Sequence, residues 1–480
     1  MTTGKTREFL LEKKYLNFPV KNGVEKRLVS LVVDDQVVRE FEIELAPGEP
    51  NFWVFLEIGE FKGKKALLRI DTYDPAKNKG FDSIYQADTY IGEEDVYREK
   101  LRPQFHFTSR RGWNNDSNGM VYYDGEYHLF YQHNPYGWRW AAGGTNPMSK
   151  GQPFTQSIAY SNDRGRTWTV YEGNPVLNHI NGGNRDPKVI WHQPTNQWVM
   201  ALYLDDHTMG FFTSKDLKSW EFQSKLKCFH ECPELFELPV DGNANNKKWI
   251  LYGGSGEYLI GSFDGRQFEA EAGPIPFHYG NCFYASQTFN NIPPEDGRRI
   301  QIAWGRITMP RMPFNQMMLF PVTLTLWTMD DGPRMFAEPI HEIKRLHKRR
   351  WQWTNRILKP QSNLLSDLSG ELFHIRAEFQ IDDASENGFI IRGVPVVYNI
   401  QKQELSCCEK NAPLKAVDGK IHLELLVDRT SIEIFGDDGK IYMPIGVVLA
   451  DNAKSLEIFT KGGDTEVESL EVYELDSAWR

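Results

Sequence analysis

The chain has 480 residues, of which 40% are hydrophobic and 25% charged, as in ordinary soluble globular proteins. Its formal net charge of -10 excludes a nucleic-acid partner, which would require a concentrated basic face. No apolar run approaches the roughly 20 residues that a membrane-spanning helix needs, so no membrane association is expected.

The first strand-rich region covers residues 1–98. Runs such as "RLVSLVVDD", "REFEIEL" and "KKALLRIDTYD" alternate with turn residues and share no repeat. They predict a small N-terminal β-sandwich, which could serve as an interface in a homo-oligomer. The start, "MTTGKTREFLLEKKYLNF", lacks the apolar core of a signal peptide, so the chain is either cytoplasmic or a secreted protein whose signal has been removed.

Residues 99–340 repeat themselves with a period near 50. Three segments combine an apolar strand, a Ser-x-Asp turn and an aromatic residue, and their serines Ser161, Ser214 and Ser262 are 53 and 48 residues apart. A second series of predicted strands begins at Tyr127, Trp198, Trp249 and Ile300. The steps from Trp198 to Trp249 and from Trp249 to Ile300 are 51 residues each. About four short strands per repeat indicate a β-propeller.

The repeat is interrupted early. Tyr127 and Trp198 are 71 residues apart, which is neither one period nor two. One Ser-x-Asp hairpin and part of a blade are therefore predicted to be missing near "YGWRWAAGGTNP", residues 136–147.

The rest of the chain predicts two further parts. Residues 341–354, with the basic cluster "KRLHKRR", are interpreted as a linker helix. Residues 355–480 alternate apolar and polar positions and contain the hairpin signal "GDDG", which predicts a C-terminal β-sandwich. The five cysteines are sparse and odd in number, so neither a disulfide framework nor a zinc site is expected.

Acidic residues fall at matching positions of successive repeats. The strand before each second strand begins near Asp116, Asp186 or Glu231, and the fourth repeat has Tyr284 there. In a propeller these first strands line the central channel, so the side chains should converge on its axis. Acids at strand starts are often only turn formers or caps. Three at equivalent positions instead favour a function, because converging charges repel.

Paired carboxylates are what glycosyl transfer requires. One attacks the anomeric carbon and the other protonates the departing oxygen, and a pair about 5–5.5 Å apart gives retention of configuration. The acid must keep its proton near neutral pH, and apolar cover or a nearby carboxylate raises its pKa. "FHECPELF" is expected to supply such cover around Glu231.

"WNNDSNG", "NRDPKV" and "FHECPELFEL" resemble the three signature motifs of glycoside hydrolase family 32, which contains invertases, inulinases, levanases and fructosidases. The likeness extends from about Pro103 to the C-terminus through "FYASQTF", "IQIAWGRI", "MPFNQMMLFP" and "VDRTSIEIFG". It implies an all-β fold with a five-bladed propeller, one blade of which could be incomplete, followed by a β-sandwich. The N-terminal region resembles an extra domain of some bacterial members.

The resemblance also implies roles. Asp116 would be the nucleophile, Glu231 the general acid and base, and Asp186 the residue that stabilises the transition state. Cys232 would tune the acid. The other residues expected around the fructosyl unit of a fructose-containing oligo- or polysaccharide are Trp113, Asn115, Gln132, Arg185, Tyr284 and Trp304. No metal or cofactor is implied.

Two features depart from the family pattern. Ser117 occupies a position where proline is usual, which is a mild change. More importantly, a longer segment that helps to form the wall of the fructose pocket is lacking after Trp140. We interpret this as a deletion with its seam near Trp140 and Ala141, and five complete blades in the structure would contradict it.

Two other functions remain open at this stage. The turn "SNDRGRTW" fits the Asp-box of sialidases, although that motif builds a surface hairpin and performs no chemistry. Alternatively, the deletion could leave a propeller that binds fructans and does not hydrolyse them. The sequence does not distinguish sucrose, inulin and levan as substrates.

Overall fold

The computed structural model describes residues 4–140, 153–381, 383–450 and 452–479. Strands dominate throughout, interspersed with short 3₁₀ turns at Gly59–Phe61, Lys79–Phe81, Glu93–Asp95, Gln193–Thr195 and His341–Leu346. None of the helices among these residues is long and apolar enough to cross a membrane. All five cysteines are free.

The N-terminal region forms two facing sheets. Its strands are Lys5–Leu10 (β1), Tyr15–Val20 (β2), Arg27–Val33 (β3), Gln36–Ile43 (β4), Phe52–Glu57 (β5), Lys65–Ile70 (β6) and Tyr85–Ala87 (β7). One sheet has the order β1-β6-β3-β4 and the other β5-β2-β7. Alternate residues of β6, including Leu68 and Ile70, are buried between the sheets, as strand periodicity requires. The region is the small sandwich that its strand pattern predicts.

Three antiparallel meanders of four strands each form the centre of the molecule. The first is Arg185–His192 (β12), Gln197–Asp205 (β13), Thr208–Ser214 (β14) and Glu221–Lys227 (β15). The second is Glu234–Val240 (β16), Asn243–Tyr252 (β17), Glu257–Phe263 (β18) and Phe268–Pro276 (β19). The third is Phe283–Thr288 (β20), Arg299–Gly305 (β21), Val322–Met329 (β24) and Gly332–Pro339 (β25), with the short strand Met317–Met318 (β23) beside β21.

The sheet that precedes these meanders in the chain has fewer strands among the described residues. Gly112–Tyr123 (β8) pairs with Glu126–Asn134 (β9) and, in parallel, with Phe314–Asn315 (β22). A separate hairpin, Ala159–Tyr160 (β10) and Thr169–Val170 (β11), follows. Within the described residues β9 pairs only with β8, whereas β13 is bonded on both sides.

This arrangement fits the predicted interruption, because the described residues provide three complete four-stranded meanders and one partial sheet. The second and third meanders are joined into one sheet through β16 and β24. The hairpin β10–β11 corresponds to the third and fourth strands of a blade, since Ser161 and Trp168 flank its turn as Ser214 and Trp220 flank the turn between β14 and β15. A blade number of five stays a prediction. Of the predicted seam, Ala141 lies outside the described residues.

The C-terminal region is a second sandwich. Its strands are His347–Leu358 (β26), Phe373–Gln380 (β27), Glu386–Ile391 (β28), Val394–Asn399 (β29), Glu404–Cys407 (β30), Lys410–Pro413 (β31), Lys420–Val427 (β32), Ser431–Gly436 (β33), Ile441–Gly446 (β34), Leu456–Lys461 (β35) and Thr465–Leu475 (β36). The two sheets have the orders β26-β36-β27-β32-β33-β34 and β31-β30-β29-β28-β35.

The predicted linker helix over residues 341–354 is wrong. One 3₁₀ turn ends at Leu346, and the chain then enters β26, which pairs with β36 along its whole length. Just after the basic cluster, Trp351 and Trp353 pack on the sandwich core while Gln352 between them faces outward, which is the period of two of a strand. The sandwich therefore begins at His347 and not at 355.

The second sandwich and the propeller share one hydrophobic core, to which Leu426, Phe435 and Tyr442 contribute from the sandwich. A fully buried polar cluster crosses this boundary. His106 lies 2.8 Å from Asp428 through Nδ1 and 2.6 Å from Glu433 through Nε2. The two bodies are therefore joined by both apolar contact and buried charge.

Candidate active site

The acids predicted from the repeat lie at matching places in the structure. Asp116 is on β8 and Asp186 on β12, Glu231 lies three residues before the start of β16, and Tyr284 is on β20. Each of these strands pairs antiparallel with the second strand that the repeat predicts. The four positions are thus equivalent in neighbouring sheets, as the sequence register predicts.

The backbone leaves regular strand geometry at each acid. Asp116, Asp186 and Glu231 have φ of 24°, 59° and 53°, a region that non-glycine residues seldom occupy. The pairing register shifts across Asn115–Ser117 and across Arg185–Lys188. Bulges of this kind redirect a side chain out of the alternation of the strand. The strained backbone at these three positions therefore sets the direction in which the carboxylates point.

Glu231 is the most strongly engaged of the three acids. Its Oε1 is paired with the Arg185 guanidinium and lies 3.3 Å from His230 Nε2. Its Oε2 accepts a hydrogen bond of 2.8 Å from the Tyr284 hydroxyl. Burial tends to raise the pKa of Glu231, but Arg185 and Tyr284 outweigh it and hold that pKa below its ordinary value.

The expectation that apolar cover lets Glu231 keep its proton is therefore wrong, because its pKa is lowered. The sequence shows the flanking phenylalanines of "FHECPELF" but not the arginine that reaches Glu231 from β12, 46 residues earlier. A charge-assisted contact of this type favours the ionised carboxylate more than partial burial disfavours it.

Asp186 is held by the residue that follows Glu231. The backbone N–H of Cys232 donates to Asp186 Oδ2 over 3.2 Å, and the Cys232 thiol lies 3.6 Å from the same oxygen. Arg185 Nε is 3.7 Å away. Burial nevertheless raises the pKa of Asp186. Cys232 thus contacts Asp186 directly, and burial raises the pKa of its own thiol.

Asp116 is the least satisfied carboxylate. Its Oδ1 is buried and has no hydrogen-bond partner among the described residues. Burial raises its pKa to about 6, with the charges of Asp186 and Glu231 acting in the same direction and an Asn115 hydrogen bond opposing them. An unpaired buried carboxylate oxygen is costly and is free to bond to something that enters the site.

Aromatic and amide side chains form the rim of the site. Trp113 Nε1 donates to Asn115 Oδ1 over 2.8 Å, and Asn115 Nδ2 donates to Gln132 Oε1 over 3.1 Å. The Trp113 ring meets the Trp304 ring edge to face, with centroids 5.7 Å apart. Trp304 in turn meets Tyr284 at 6.0 Å. A continuous series of contacts therefore runs from Gln132, which is exposed, to Glu231.

The structure brings all ten predicted site residues into this one region. Sequence reasoning missed His230, which contacts both Glu231 and Tyr203, and Gln316, whose Oε1 accepts a 3.0 Å hydrogen bond from Trp304 Nε1. Both lie inside the motifs "FHECPELFEL" and "MPFNQMMLFP" quoted for the resemblance, so adjacency to assigned residues was the available signal.

A buried ion pair behind the carboxylates was also missed. Lys188 Nζ lies 2.6 Å from Glu234 Oε1 and donates to the Thr288 carbonyl oxygen over 2.9 Å. These residues belong to β12, β16 and β20, the strands that position Asp186, Glu231 and Tyr284. Lys188 therefore links β12 to both β16 and β20 behind the site.

The Asp-box turn is a separate surface feature. Ser161 Oγ donates to Asp163 Oδ1 over 2.8 Å and accepts from the Gly165 N–H over 2.8 Å, which closes the turn of the β10–β11 hairpin. Its residues make none of the contacts described for the carboxylates. As the sequence predicts, the motif builds a hairpin.

Comparison with known proteins adds to this geometry. Residues 106–146 and 144–339 match the glycosyl hydrolases family 32 N-terminal domain in two pieces, and residues 342–474 match the family 32 C-terminal domain. A levanase of Bacillus subtilis is 34% identical over 81% of this chain and 72% of its own length. An invertase of Wickerhamomyces anomalus is 30% identical over 52% of this chain and 62% of its own.

A crystal structure of an exo-inulinase from Aspergillus awamori has the same fold. It superposes with a TM-score of 0.70 at 24% identity and covers 80% of this chain and 100% of the other. This neighbour supports a propeller followed by a β-sandwich.

The alignment with the levanase extends over 490 positions, whereas 81% of 480 residues is about 390, so about 100 positions lack a residue of this chain. The two pieces of the N-terminal family match meet at residues 144–146, close to the predicted seam. Together the two matched domains account for well over half of the sequence. The chain belongs to glycosyl hydrolases family 32.

Proposed function

We propose that this protein is a retaining glycoside hydrolase that releases fructose from β-fructofuranosides by double displacement. The observation that carries the proposal is the convergence of three carboxylates on or just before successive inner strands. One of these acids, Asp116, has a buried oxygen without a hydrogen-bond partner among the described residues. Two of them supply what the reaction requires, a nucleophile and a proton donor.

In the first step Asp116 attacks the anomeric carbon of the fructosyl unit. The bond between that carbon and the leaving oxygen breaks as the bond to the carboxylate forms, and Glu231 transfers its proton to the leaving oxygen. In the second step Glu231 removes a proton from water, whose oxygen attacks the anomeric carbon and releases Asp116. Asp186, anchored by Cys232, would accept hydrogen bonds from fructose hydroxyls.

The proton required by the first step must reach Glu231 after substrate binds. Arg185 and Tyr284 favour the ionised form of Glu231. A fructosyl hydroxyl that bonds to Arg185 would weaken its pairing with Glu231 and raise the pKa of that acid. Substrate binding would also exclude water, and the added desolvation disfavours the ionised carboxylate of Glu231. Arg185 therefore couples binding to protonation of the acid.

The substrate class follows from the relatives, which are a levanase, an invertase and an exo-inulinase. Sucrose, inulin and levan are accordingly the substrates to test. A sialidase function is disfavoured, because the Asp-box builds a surface hairpin and the chain belongs to family 32.

One observation favours a second candidate function. The sheet β8–β9 is incomplete among the described residues, and about 100 positions of the levanase alignment have no counterpart here. A propeller that has lost part of a pocket wall could bind fructans without hydrolysing them. The carboxylates and the rim residues survive the interruption, and this is why catalysis is the main proposal.

Product analysis decides between the two candidates. The purified chain is incubated with sucrose, inulin, levan and a sialoside, free sugars are quantified, and the anomeric configuration of the first product is followed by NMR. Release of β-configured fructose supports the proposal. Binding of levan by calorimetry without any free sugar would establish the second candidate, and an α-configured first product would overturn the double displacement.

A further inference from the structure

The N-terminal sandwich has no counterpart in the family match, which begins at residue 106. It nevertheless contacts the propeller closely. The ring of Phe41 on β4 stacks on Tyr136 with centroids 3.7 Å apart and an interplanar angle of 17°. Tyr136 and Trp138 both pack against the sandwich core. The contact falls on the segment that follows β9.

A half-buried arginine forms the second part of this contact. The Arg111 guanidinium lies 3.4 Å from the centroid of the Phe55 ring on β5, and its Nε donates to the Pro135 carbonyl oxygen over 3.1 Å. The backbone oxygen of Arg111 accepts a 2.8 Å hydrogen bond from His133 Nε2. Burial lowers the pKa of Arg111 to about 10, so it remains a cation at neutral pH. Arg111 therefore ties the start of β8 to the end of β9 beneath the sandwich.

The segment that Arg111 holds is close to the site along the chain. Trp113 lies two residues after Arg111, and Gly112 lies between them with a φ of 73°. Any other residue at position 112 would bring its Cβ to 2.1 Å from the backbone oxygen of Asn134. Only glycine permits so close an approach of backbones. The position of Trp113 is thus set by the fastening of the residues around it.

A second route leads to Trp304. Trp138 Nε1 donates to the Phe314 oxygen over 3.1 Å, and Asn315 Nδ2 donates to the Trp138 oxygen over 3.0 Å. The next residue, Gln316, accepts the hydrogen bond from Trp304 Nε1. Both tryptophans of the rim are therefore reached from the segment that Phe41 and Tyr136 hold.

We propose that the N-terminal sandwich is a positioning element of the fructosyl site, in which Phe41 and Phe55 fix Tyr136 and Arg111 and, through them, Trp113 and Trp304. Its kinetic consequence rests on the proposed function. Among the described residues the sandwich reaches the rim through Tyr136 and Arg111, and none of these contacts involves a carboxylate of the site. The sandwich therefore acts on how substrate is held and not on the chemical step.

The test uses the full chain with Phe41→Ala and Tyr136→Ala. We expect KM for the best fructan substrate to rise about tenfold with kcat within about twofold, because the rim and not the acids is loosened. Amide hydrogen exchange over residues 111–118 should accelerate in both variants. Phe41→Leu, which keeps apolar bulk, should restore most of the wild-type KM, and it remains informative if the alanine variants fail to fold.

Trp53→Ala provides the matched control, since Trp53 is an aromatic residue of the same sandwich that packs on Tyr85 instead. Its KM and the exchange over residues 111–118 should be unchanged. Unchanged KM and exchange in folded Phe41→Ala would overturn the proposal, as would an equal effect of Trp53→Ala. If the wild-type chain releases no fructose, the proposed function fails, but the exchange measurement still decides whether the sandwich positions β8.

Discussion

Two groups of buried acids in this molecule have opposite surroundings. In the cluster between propeller and C-terminal sandwich, Asp428 accepts hydrogen bonds from the backbone N–H groups of Gln104 and Phe105, and Glu433 accepts from the Phe320 N–H and the Tyr442 hydroxyl. Both acids also bond to His106. At the candidate active site, by contrast, Asp116 retains an oxygen to which no residue in the described part of the chain forms a hydrogen bond.

The difference separates structural charge from reactive charge. A buried carboxylate whose lone pairs are all engaged stabilises one arrangement of its neighbours and has nothing left to offer a ligand. A carboxylate with an unused oxygen on a strained backbone costs stability, and that cost is offset when substrate binds. Burial alone would not have distinguished the two groups.

The largest effect is expected at Asp116. Asp116→Asn keeps size and removes the nucleophile, so kcat should fall by about 10⁴-fold or more while the thermal unfolding midpoint stays the same or rises. Fructose release under saturating substrate measures the first quantity and calorimetry the second. Asp163→Asn, in the surface Asp-box, is the control and should retain wild-type turnover. Unchanged turnover in Asp116→Asn would refute the nucleophile assignment.

At His106 we expect a substitution to reduce stability. His106→Gln leaves Asp428 and Glu433 buried without a cation, so the free energy of unfolding should fall by about 3–5 kcal/mol. Chemical denaturation measures the loss. Adding Asp428→Asn and Glu433→Gln should recover part of it, because the unpaired charges are then gone. His341→Gln, on the exposed surface, should have little effect, and a comparable loss there would contradict the assignment.

The same cluster predicts a pH dependence of stability. Burial opposes protonation of His106, but Asp428 and Glu433 raise its pKa from 6.5 to about 9. Because the folded value exceeds the unfolded one, the stabilisation is complete below about pH 6.5 and is lost as pH rises through about 9, on the order of 3 kcal/mol in all. Unfolding free energies at pH 6 and pH 10 measure it. The difference should shrink in His106→Gln, and an undiminished difference would exclude His106 as its source.

The smallest effect concerns the pH dependence of activity. Double displacement needs ionised Asp116, whose pKa is about 6, and protonated Glu231, whose pKa is held below its ordinary 4.5. That combination is most populated between the two values and declines on either side. The plot of kcat/KM against pH should therefore be bell-shaped with its maximum below about pH 6. A maximum at or above pH 7 would show that these values do not govern the free enzyme.

Much of the fold could be predicted from local patterns. The period near 50 correctly paired the strands that contain Tyr127, Trp198, Trp249 and Ile300 with the strands that precede them. The prediction of a helix over residues 341–354 failed because a run of exposed basic residues at the start of an edge strand resembles a solvated helix face. Only the structure shows that Trp351 and Trp353 share the side that packs on the sandwich core.

The sequence by itself determined the all-β architecture, the matching places of the acids and the early break in the repeat, since all three are written in short-range periodicity and composition. Only the tertiary structure decided how each acid is charged. Arg185 reaches Glu231 across 46 residues, and His106 reaches Glu433 across 327. The pKa of a carboxyl depends on desolvation and on charges within a few ångströms, and chain positions that far apart carry no sign of such proximity.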